Sequence, residues 1–310
     1  MTATIYVLHE NPAWLPPLAE GFASAGVPWS EWFLDTGEVD LGAVPPEGVF
    51  YNRMSASSHT RGHRHAAELT SVVLAWLERH GRRVVNGSPA LDLEISKMRQ
   101  YAALERAGLP TPRTIAVVGE ALLVEAAERH FAAAPFILKP NRGGSGRGVQ
   151  LFERPADLAD HLASADYTAP LDGVHLLQAY IRASEPVITR AEFVGGRFLY
   201  AVEVDTSGGF ELCPADACAV PGEASRPKFR IIEGIDAGLK AALEGFLAAT
   251  GIEIAGIEFI TSVDGSVSVY DVNTNTNYNA EAEAAAGLSG PRAIASFLGE
   301  ELRKSYRRAA

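Results

Sequence analysis

The stretch Ala255–Asn279 constrains the fold more than any other, because it predicts two β-strands joined by a tight turn. The predicted strands are Gly256–Ser262 and Ser266–Asn273, in which apolar and polar residues alternate. Between them stands the pair Asp264-Gly265, which is typical of a two-residue type I′ hairpin turn. The sequence therefore predicts an antiparallel hairpin whose register is set by this pair.

With Asp264-Gly265 as the turn, the carboxylate of Glu258 is predicted to lie directly opposite that of Asp271. Asn273 is two residues further along and shares their face of the sheet. Opposed side chains lie about 5 Å apart, and like charges at that distance destabilise a sheet unless something neutralises them. Carboxylate and amide oxygens suit Mg²⁺, which completes its shell with phosphate oxygens. We prefer this metal site over the alternative of an exposed hairpin edge with scattered acids.

Composition describes an ordinary globular chain of 310 residues, long enough for two or three subdomains. It has 27 basic and 38 acidic residues and a net charge of −11, which disfavours a broad nucleic-acid or anionic membrane surface. Its start lacks the basic and apolar regions of a signal peptide, and no apolar run is long enough to cross a membrane. Cys213 and Cys218 lack zinc-site spacing and are expected to be reduced thiols, so we expect a cytoplasmic protein.

Strand and helix patterns alternate in the first part of the chain, which predicts a parallel α/β sheet covered on both faces. The rest reads as α+β, beginning with one continuous helix over Leu93–Ala107. We expect three units: an α/β unit at 1–88, a central lobe at 89–180 and a C-terminal lobe at 181–310.

The segment Ile137–Phe152 carries a second chemical signal, a glycine-rich loop preceded by a lysine. Glycines let backbone N–H groups approach anionic oxygens closely. A strand rather than a helix follows, and Lys139 precedes the glycines, so neither a Rossmann fingerprint nor a P-loop fits. A flap over phosphates fits better. The alternative, a plain flexible hairpin, would require neither Lys139 nor Arg147.

Taken in order, the motifs resemble those of the ATP-grasp ligases, and most closely the RimK-type glutamate-ligase branch. The resemblance covers about residues 52–278 and rests on these motifs: Ser96-Lys97, Pro110-x-Pro112-x-Thr114, Ile137-Leu-Lys-Pro-x-x-Gly-Gly-x-Gly-x-Gly-Val149, Gln178-x-Tyr-Ile181, Arg190, Gly256-Ile-Glu258 and Asp271-Val-Asn273. It implies an ATP-grasp fold with an N-terminal Rossmann-like pre-ATP-grasp domain. It also implies ATP and Mg²⁺ as cofactors, with two metal ions and with Mn²⁺ as an alternative metal.

The site residues of the family that this sequence resembles can be matched to positions in this sequence. The resemblance implies phosphate contacts from Lys97 and Lys139, with Lys139 and Arg190 at the reaction centre. The flap and the hinge that holds adenine are implied to comprise Gly143, Gly144, Ser145, Gly146, Gly148, Gln178, Ala179, Tyr180 and Ile181. The implied metal ligands are Glu258, Asp271 and Asn273, the same set that the hairpin pattern indicates.

The activity implied is ADP-forming ligation of a carboxylate to an amine through an acyl phosphate, on a small amino acid or peptide. Such chemistry needs positioning and charge neutralisation rather than a side-chain nucleophile. Two alternatives remain open: an ATP-binding regulatory module without catalysis, and a phosphotransferase. A homo-oligomer is compatible with the sequence.

Two departures from the family pattern fall near the site. After the metal asparagine the chain reads Thr274–Asn279 with no proline, and Asn275 is expected to line the acceptor substrate, whereas Asn279 fits a helix N-cap. The acid expected two residues before Arg190 is Ile188, so we assign ribose recognition to Glu185 instead.

Two basic segments are candidates for substrate contacts. Arg53, Ser55 and Arg61 follow a strand of the first unit, at the sheet edge where α/β proteins bind ligands, and guanidinium groups match carboxylates. Arg230 belongs to a basic run with Arg226 and Lys228 that closes over phosphates or substrate. In both segments the alternative is an ordinary solvated loop.

Overall fold

The computed structural model describes residues 4–144, 146–207 and 228–307. Ser145, Cys213, Cys218 and Arg226, for which the sequence made predictions, lie outside them. Within the described ranges, no helix combines the length and the apolar character needed to cross a membrane.

The described elements alternate strands and helices first and become mixed later. The strands are β1 Thr4–His9, β2 Trp29–Phe33, β3 Gly48–Asn52, β4 Arg83–Val85, β5 Thr114–Val118, β6 Phe136–Pro140, β7 Gln150–Phe152, β8 Val174–Ala179, β9 Val187–Val194, β10 Arg197–Asp205, β11 Phe229–Ile232, β12 Ile254–Thr261 and β13 Val267–Asn273. The helices are α1 Pro16–Ala25, α2 Ala66–Arg79, α3 Ser88–Glu94, α4 Lys97–Arg106, α5 Leu123–Phe131, α6 Pro155–Leu162, α7 Ala237–Thr250, α8 Ala280–Ala286 and α9 Gly290–Arg307.

The N-terminal sheet is parallel, in the order β2-β1-β3-β4, with helices on both faces as predicted. Val7 and Tyr51 pack towards α1 and α9, whereas Leu8 and Phe50 pack towards α2. Because neighbouring side chains of a strand point to opposite faces, this arrangement buries both faces of the sheet. The C-terminal helix α9, which the sequence analysis did not predict, therefore completes the N-terminal unit.

Two antiparallel sheets follow, in the orders β5-β8-β6-β7 and β11-β10-β9-β12-β13. One apolar cluster spans both, with Tyr101 and Leu104 of α4, Phe246 of α7, Leu176 of β8 and Ile257 of β12. Strand β11 includes Arg230, so this part of the basic segment is not the solvated loop that was the alternative interpretation. The division of the chain at residues 88 and 180 stays a prediction.

The predicted helix Leu93–Ala107 is not continuous, and the break positions a lysine. The chain leaves the helix at Ile95, Ser96 is extended (φ −148°, ψ 104°), and its Oγ accepts from the Arg99 N–H at 3.4 Å. Such a hydroxyl cap satisfies one of the N–H groups that a helix start leaves unpaired. Lys97 becomes the first residue of the new helix α4, from which its side chain reaches β13.

Asn86 joins the N-terminal unit to the C-terminal lobe and has positive φ (56°) with no exposed surface. Its Nδ2 donates to the carbonyl oxygens of Ile254 at 2.7 Å and Thr274 at 3.1 Å. Its Oδ1 accepts from the N–H groups of Glu253 at 2.9 Å and Ile254 at 3.2 Å. One side chain thus satisfies four backbone groups of the other lobe.

We therefore expect Asn86→Ala to lower the free energy of unfolding by about 3–5 kcal/mol, because it leaves buried donors and acceptors unpaired. Urea denaturation of both proteins measures the difference. Asn86→Gly makes the same deletion but relieves the positive φ, so it should lose about 1 kcal/mol less than the alanine variant. A loss below about 1 kcal/mol in the alanine variant would contradict this role for Asn86.

Candidate active site

In the hairpin β12–β13, Glu258 pairs with Asp271 as predicted, but the turn that leads there is different. Ser262 and Ser266 are bonded across a three-residue loop, and only Gly265 of the Asp264-Gly265 pair has positive φ (84°). The predicted two-residue type I′ turn is therefore wrong, since it needs positive φ at both positions. A bulge at Tyr270, between the Phe259–Val269 and Glu258–Asp271 pairs, shifts the register back by one residue.

Arg190 of β9 lies at the centre of a buried charge network and is 5% exposed. Its Nε donates to Glu192 at 2.6 Å, its Nη1 to Glu258 at 2.7 Å and its Nη2 to the Thr276 hydroxyl at 2.7 Å. Burial works against its charged form, but the two adjacent carboxylates outweigh burial and raise the pKa of Arg190. The guanidinium is thus a fixed positive charge beside the candidate metal ligands.

The close approach of Arg190 to the hairpin depends on the missing side chain at Gly256. A Cβ there would lie 2.4 Å from a guanidinium nitrogen. Any residue other than glycine would therefore displace Arg190, which gives this glycine of the Gly256-Ile-Glu258 motif a physical reason.

The two lysines differ in their partners. Lys97 donates to Asp271 at 2.5 Å, and this carboxylate outweighs the effect of burial and raises the pKa of Lys97. Lys139 is buried and donates to the Tyr101 hydroxyl, a neutral group, at 2.7 Å. The positive charge of Lys139 is therefore not neutralised by this partner, and it can bind a phosphate.

The candidate metal ligands form a small oxygen-rich set. Asn273 Nδ2 lies 3.5 Å from Glu258 Oε1, and the carboxylates of Glu258 and Asp271 already accept from Arg190 and Lys97. The described ranges hold no group of three or more His, Cys, Asp or Glu side chains placed for a metal ion. Two acids and one amide still fit Mg²⁺, which takes few protein ligands and keeps oxygens from water and phosphate.

A cleft of about 520 Å³ brings these groups together. The residues below were predicted for the site and line this cleft: Ser55, Lys97, Lys139, Gly143, Gly144, Gly146, Gln178, Ala179, Tyr180, Ile181, Glu185, Arg190, Glu258, Asp271, Asn273 and Asn275. Ile188, which stands where the family pattern has an acid, lines this cleft with two other isoleucines, Ile137 and Ile260. Gly148 is not among the lining residues, although it lies in the flap with φ 72°.

The predicted substrate arginines do not line the cleft. Arg53 is buried and donates to the carbonyl oxygens of Trp14 and Thr276 and to Asn277 Oδ1, at 3.0–3.2 Å. Arg61 pairs with Glu10 and lies 4.6 Å from the centre of the Trp14 ring. Arg230 is on β11 and pairs with Glu203. These guanidinium groups are engaged within the protein, so the idea that they grip a substrate carboxylate loses its support.

Several residues at the site were missed by sequence reasoning. Glu192 was detectable, because two residues after Arg190 on a strand means the same face. Thr276, which donates to Glu192 at 2.8 Å, and Tyr101 come from distant segments and gave no local signal. Glu94 lines the cleft at the end of α3, within the helix that was predicted as continuous.

Comparison with family models finds none that matches the chain. Among curated proteins, a D-alanine–D-alanine ligase of Dinoroseobacter shibae is 31% identical over 137 residues, which is 44% of this chain and 40% of that protein. The human β-citrylglutamate synthase B is 26% identical over 205 residues, which is 65% of this chain and 49% of that protein. The chain thus spans less than half the length of these curated relatives.

Solved structures match over almost the whole chain. The ATP-grasp ligase PsnB in complex with a minimal precursor has a TM-score of 0.68 and 20% identity, covering 96% of this chain and 99% of that one. The D-cycloserine synthetase DcsG has a TM-score of 0.64 at 22% identity, with the same coverage. A RimK-domain ATP-grasp protein of Sphaerobacter thermophilus has a TM-score of 0.65 at 19% identity. The match covers 96% of this chain and 99% of that one. The chain therefore has the ATP-grasp fold, as its motifs predicted.

Proposed function

We propose that this protein is an ATP-dependent, ADP-forming ligase that joins a carboxylate to an amine. One observation carries the proposal: a single cleft holds two lysines and a buried arginine beside two carboxylates and an amide, under a glycine-rich flap. Phosphoryl transfer depends on positioned positive charge around the transferred group, and this cleft concentrates such charge.

In this proposal the nucleotide phosphates are held by two lysines and by the backbone amides of the flap. These residues are Lys97, Lys139, Gly143, Gly144 and Gly146. The hinge, Gln178–Ile181, holds the adenine beside apolar side chains that line the same cleft. Glu258, Asp271 and Asn273 hold Mg²⁺, which when bound neutralises phosphate charge.

Arg190 has the catalytic role in the second half of the proposed reaction. The carboxylate substrate first takes the γ-phosphoryl group to give an acyl phosphate, and the amine then attacks the acyl carbon and releases phosphate. The attack puts negative charge on the acyl oxygen, and a guanidinium held by Glu192 and Thr276 stabilises it without reorganising.

The named relatives support a small or peptidic substrate. One is described as a D-alanine–D-alanine ligase, and the PsnB structures hold a precursor peptide, some with Mg and ADP. We propose amino acids or short peptides as the substrates of this chain.

The test separates the ligase from a phosphotransferase and from a binding module. We would incubate the chain with Mg²⁺-ATP and a panel of N-acetylated amino acids and short peptides, which present a carboxylate but no free α-amine, first without and then with hydroxylamine as a surrogate amine. A ligase should release at most about one ADP per enzyme without an amine, and should turn over to a hydroxamate once hydroxylamine is added. Continuous ADP release with a stable phosphorylated product would instead identify a phosphotransferase. Binding of ATP with no ADP under any condition would identify a binding module.

A further inference from the structure

One wall of the cleft is built largely from the N-terminal unit and from residues that were not assigned to ATP or Mg²⁺. Trp14, Ser55 and Ser57 line it from the N-terminal unit, together with Glu94 at the end of α3 and Asn275 after β13. In α/β sheets, loops at the carboxyl ends of the strands form ligand sites, and the loop after β3 supplies both serines. This wall therefore has the position of a substrate subsite.

Glu94 presents a carboxylate to this wall and is 8% exposed. Its Oε1 accepts from the Ala56 N–H at 3.1 Å, and its Oε2 accepts from the N–H and the hydroxyl of Thr274 at 2.7 and 3.0 Å. All three donors are neutral, and Oε1 has room for a further donor. A nearly buried carboxylate held only by neutral donors favours a cationic ligand.

Asn275 adds a second acceptor, because its Oδ1 is buried within this wall and accepts no hydrogen bond from the described residues. Buried polar atoms in proteins almost always have a partner, so an acceptor without one on a cleft wall indicates a place for a ligand donor. Glu94 bonds to Thr274, the residue directly before Asn275, and both acceptors line the same cleft.

The two arginines that were predicted to grip a substrate carboxylate have partners within the protein, and Arg61 reaches this wall through its hydrogen bond to Ser57. Arg53 donates to Asn277 and to two backbone carbonyl oxygens, and Arg61 pairs with Glu10 and donates to Ser57 Oγ at 3.1 Å. The wall thus offers hydrogen-bond acceptors and a negative charge where the sequence had predicted guanidinium groups for a carboxylate.

We propose that Glu94 and Asn275 form the subsite that receives the amine substrate as its ammonium, and that the Glu94 carboxylate takes the proton that the nitrogen must lose before it attacks. An ammonium has three donors and no acceptor, which matches a carboxylate oxygen and an amide oxygen on one wall. The proposal rests on the ligase function proposed above, and it narrows the amine to one that enters as a cation with no acidic group beside its nitrogen.

Isothermal titration of the full chain saturated with Mg²⁺ and the non-hydrolysable analogue AMPPNP tests this subsite. Two probes of the same shape are used: glycinamide, which has an ammonium, and propionamide, which has a methyl group in its place. We expect the Kd of glycinamide to be about tenfold below that of propionamide. Asn275→Asp should lower the Kd of glycinamide about tenfold, and Asn275→Lys should raise it about tenfold, because each adds a charge beside the ammonium.

Asn279→Asp is the matched control. It makes the same change in the same segment, but Asn279 caps α8 by accepting from the Ala282 N–H at 2.9 Å, a role that aspartate also fills. Its glycinamide Kd should stay within about threefold of that of the unchanged chain. Titration of AMPPNP alone checks that each variant retains the nucleotide site.

Propionamide binding as tightly as glycinamide, no glycinamide binding at millimolar concentration, or equal glycinamide affinity in both Asn275 variants would overturn the subsite. The result is separable from the ligase proposal. Charge-dependent glycinamide binding in a chain that makes no amide would keep the subsite and reject the ligase. Amide formation with charge-independent binding would keep the ligase and reject the subsite.

Discussion

Asp271→Asn is expected to lower ATP-dependent turnover by about 10²- to 10³-fold, the usual cost of removing one preorganised electrostatic group from a reaction centre. Asp271 is a candidate Mg²⁺ ligand and also holds the Lys97 ammonium at 2.5 Å. The amide keeps an oxygen in place but removes the charge, so the Mg²⁺ concentration for half-maximal ADP release should rise as well. The measurement is ADP release against Mg²⁺ concentration for both proteins.

Asp264→Asn serves as the control, because it makes the same change in the loop of the same hairpin, away from the cleft. It should leave turnover and the Mg²⁺ requirement unaltered.

Asp271→Asn also leaves the Lys97 charge buried without its carboxylate and should cost about 3 kcal/mol of stability, so the assay is run below the unfolding transition of the variant. Turnover within about threefold of the unchanged chain would remove Asp271 from the site.

Lys139→Met is the second variant with a large expected effect, again about 10²- to 10³-fold in turnover. Methionine fills a similar volume but carries no charge, so the phosphates lose a positive partner while the packing around the side chain is kept. We expect weaker AMPPNP binding together with slower ADP release. Titration of AMPPNP and initial rates of ADP release measure the two effects separately.

Tyr101→Phe distinguishes the charge of Lys139 from its hydrogen bond. It removes the hydroxyl that accepts from Lys139 at 2.7 Å but leaves the ammonium in the cleft. Turnover of this variant should fall less than that of Lys139→Met, because the positive charge stays in the cleft and only one hydrogen bond from a charged donor, which contributes about 1.5–3 kcal/mol, is lost. A larger loss in Tyr101→Phe than in Lys139→Met would contradict the assignment of Lys139 to the phosphates.

The sequence predicted the parts of the fold that depend on neighbouring residues. Short apolar runs predicted strands where β1 and β3 lie. The helical spacing of apolar residues predicted α2, and Val73 and Leu77 are buried as expected, whereas Val72 is 46% exposed. The pairing of Glu258 with Asp271 was also predicted, although the reason was incomplete. The loop was one residue longer than the Asp-Gly pattern indicated, and the bulge at Tyr270 compensated for it.

Features that depend on distant residues were not predictable in this way. Helix α9 is stabilised by packing against α1 and the first sheet, and nothing in its local pattern indicates that partner. The break before Lys97 is held in part by Asn141, whose carbonyl oxygen accepts from the Lys97 N–H at 3.1 Å. A guanidinium in a loop reads as a ligand for carboxylates, but whether it is free to act so depends on residues such as Glu10 and Asn277, which only the folded chain brings near.

The most direct test of the ligase proposal is a product analysis of the full chain with Mg²⁺-ATP and paired amino acids and short peptides. ADP and phosphate release are quantified, and mass spectrometry identifies what is formed. The proposal predicts ADP, phosphate and a new amide in equal amounts for at least one pair, with none formed when either partner is omitted. ADP and a phosphorylated product without any amide, or tight ATP binding with no turnover across the panel, would contradict it.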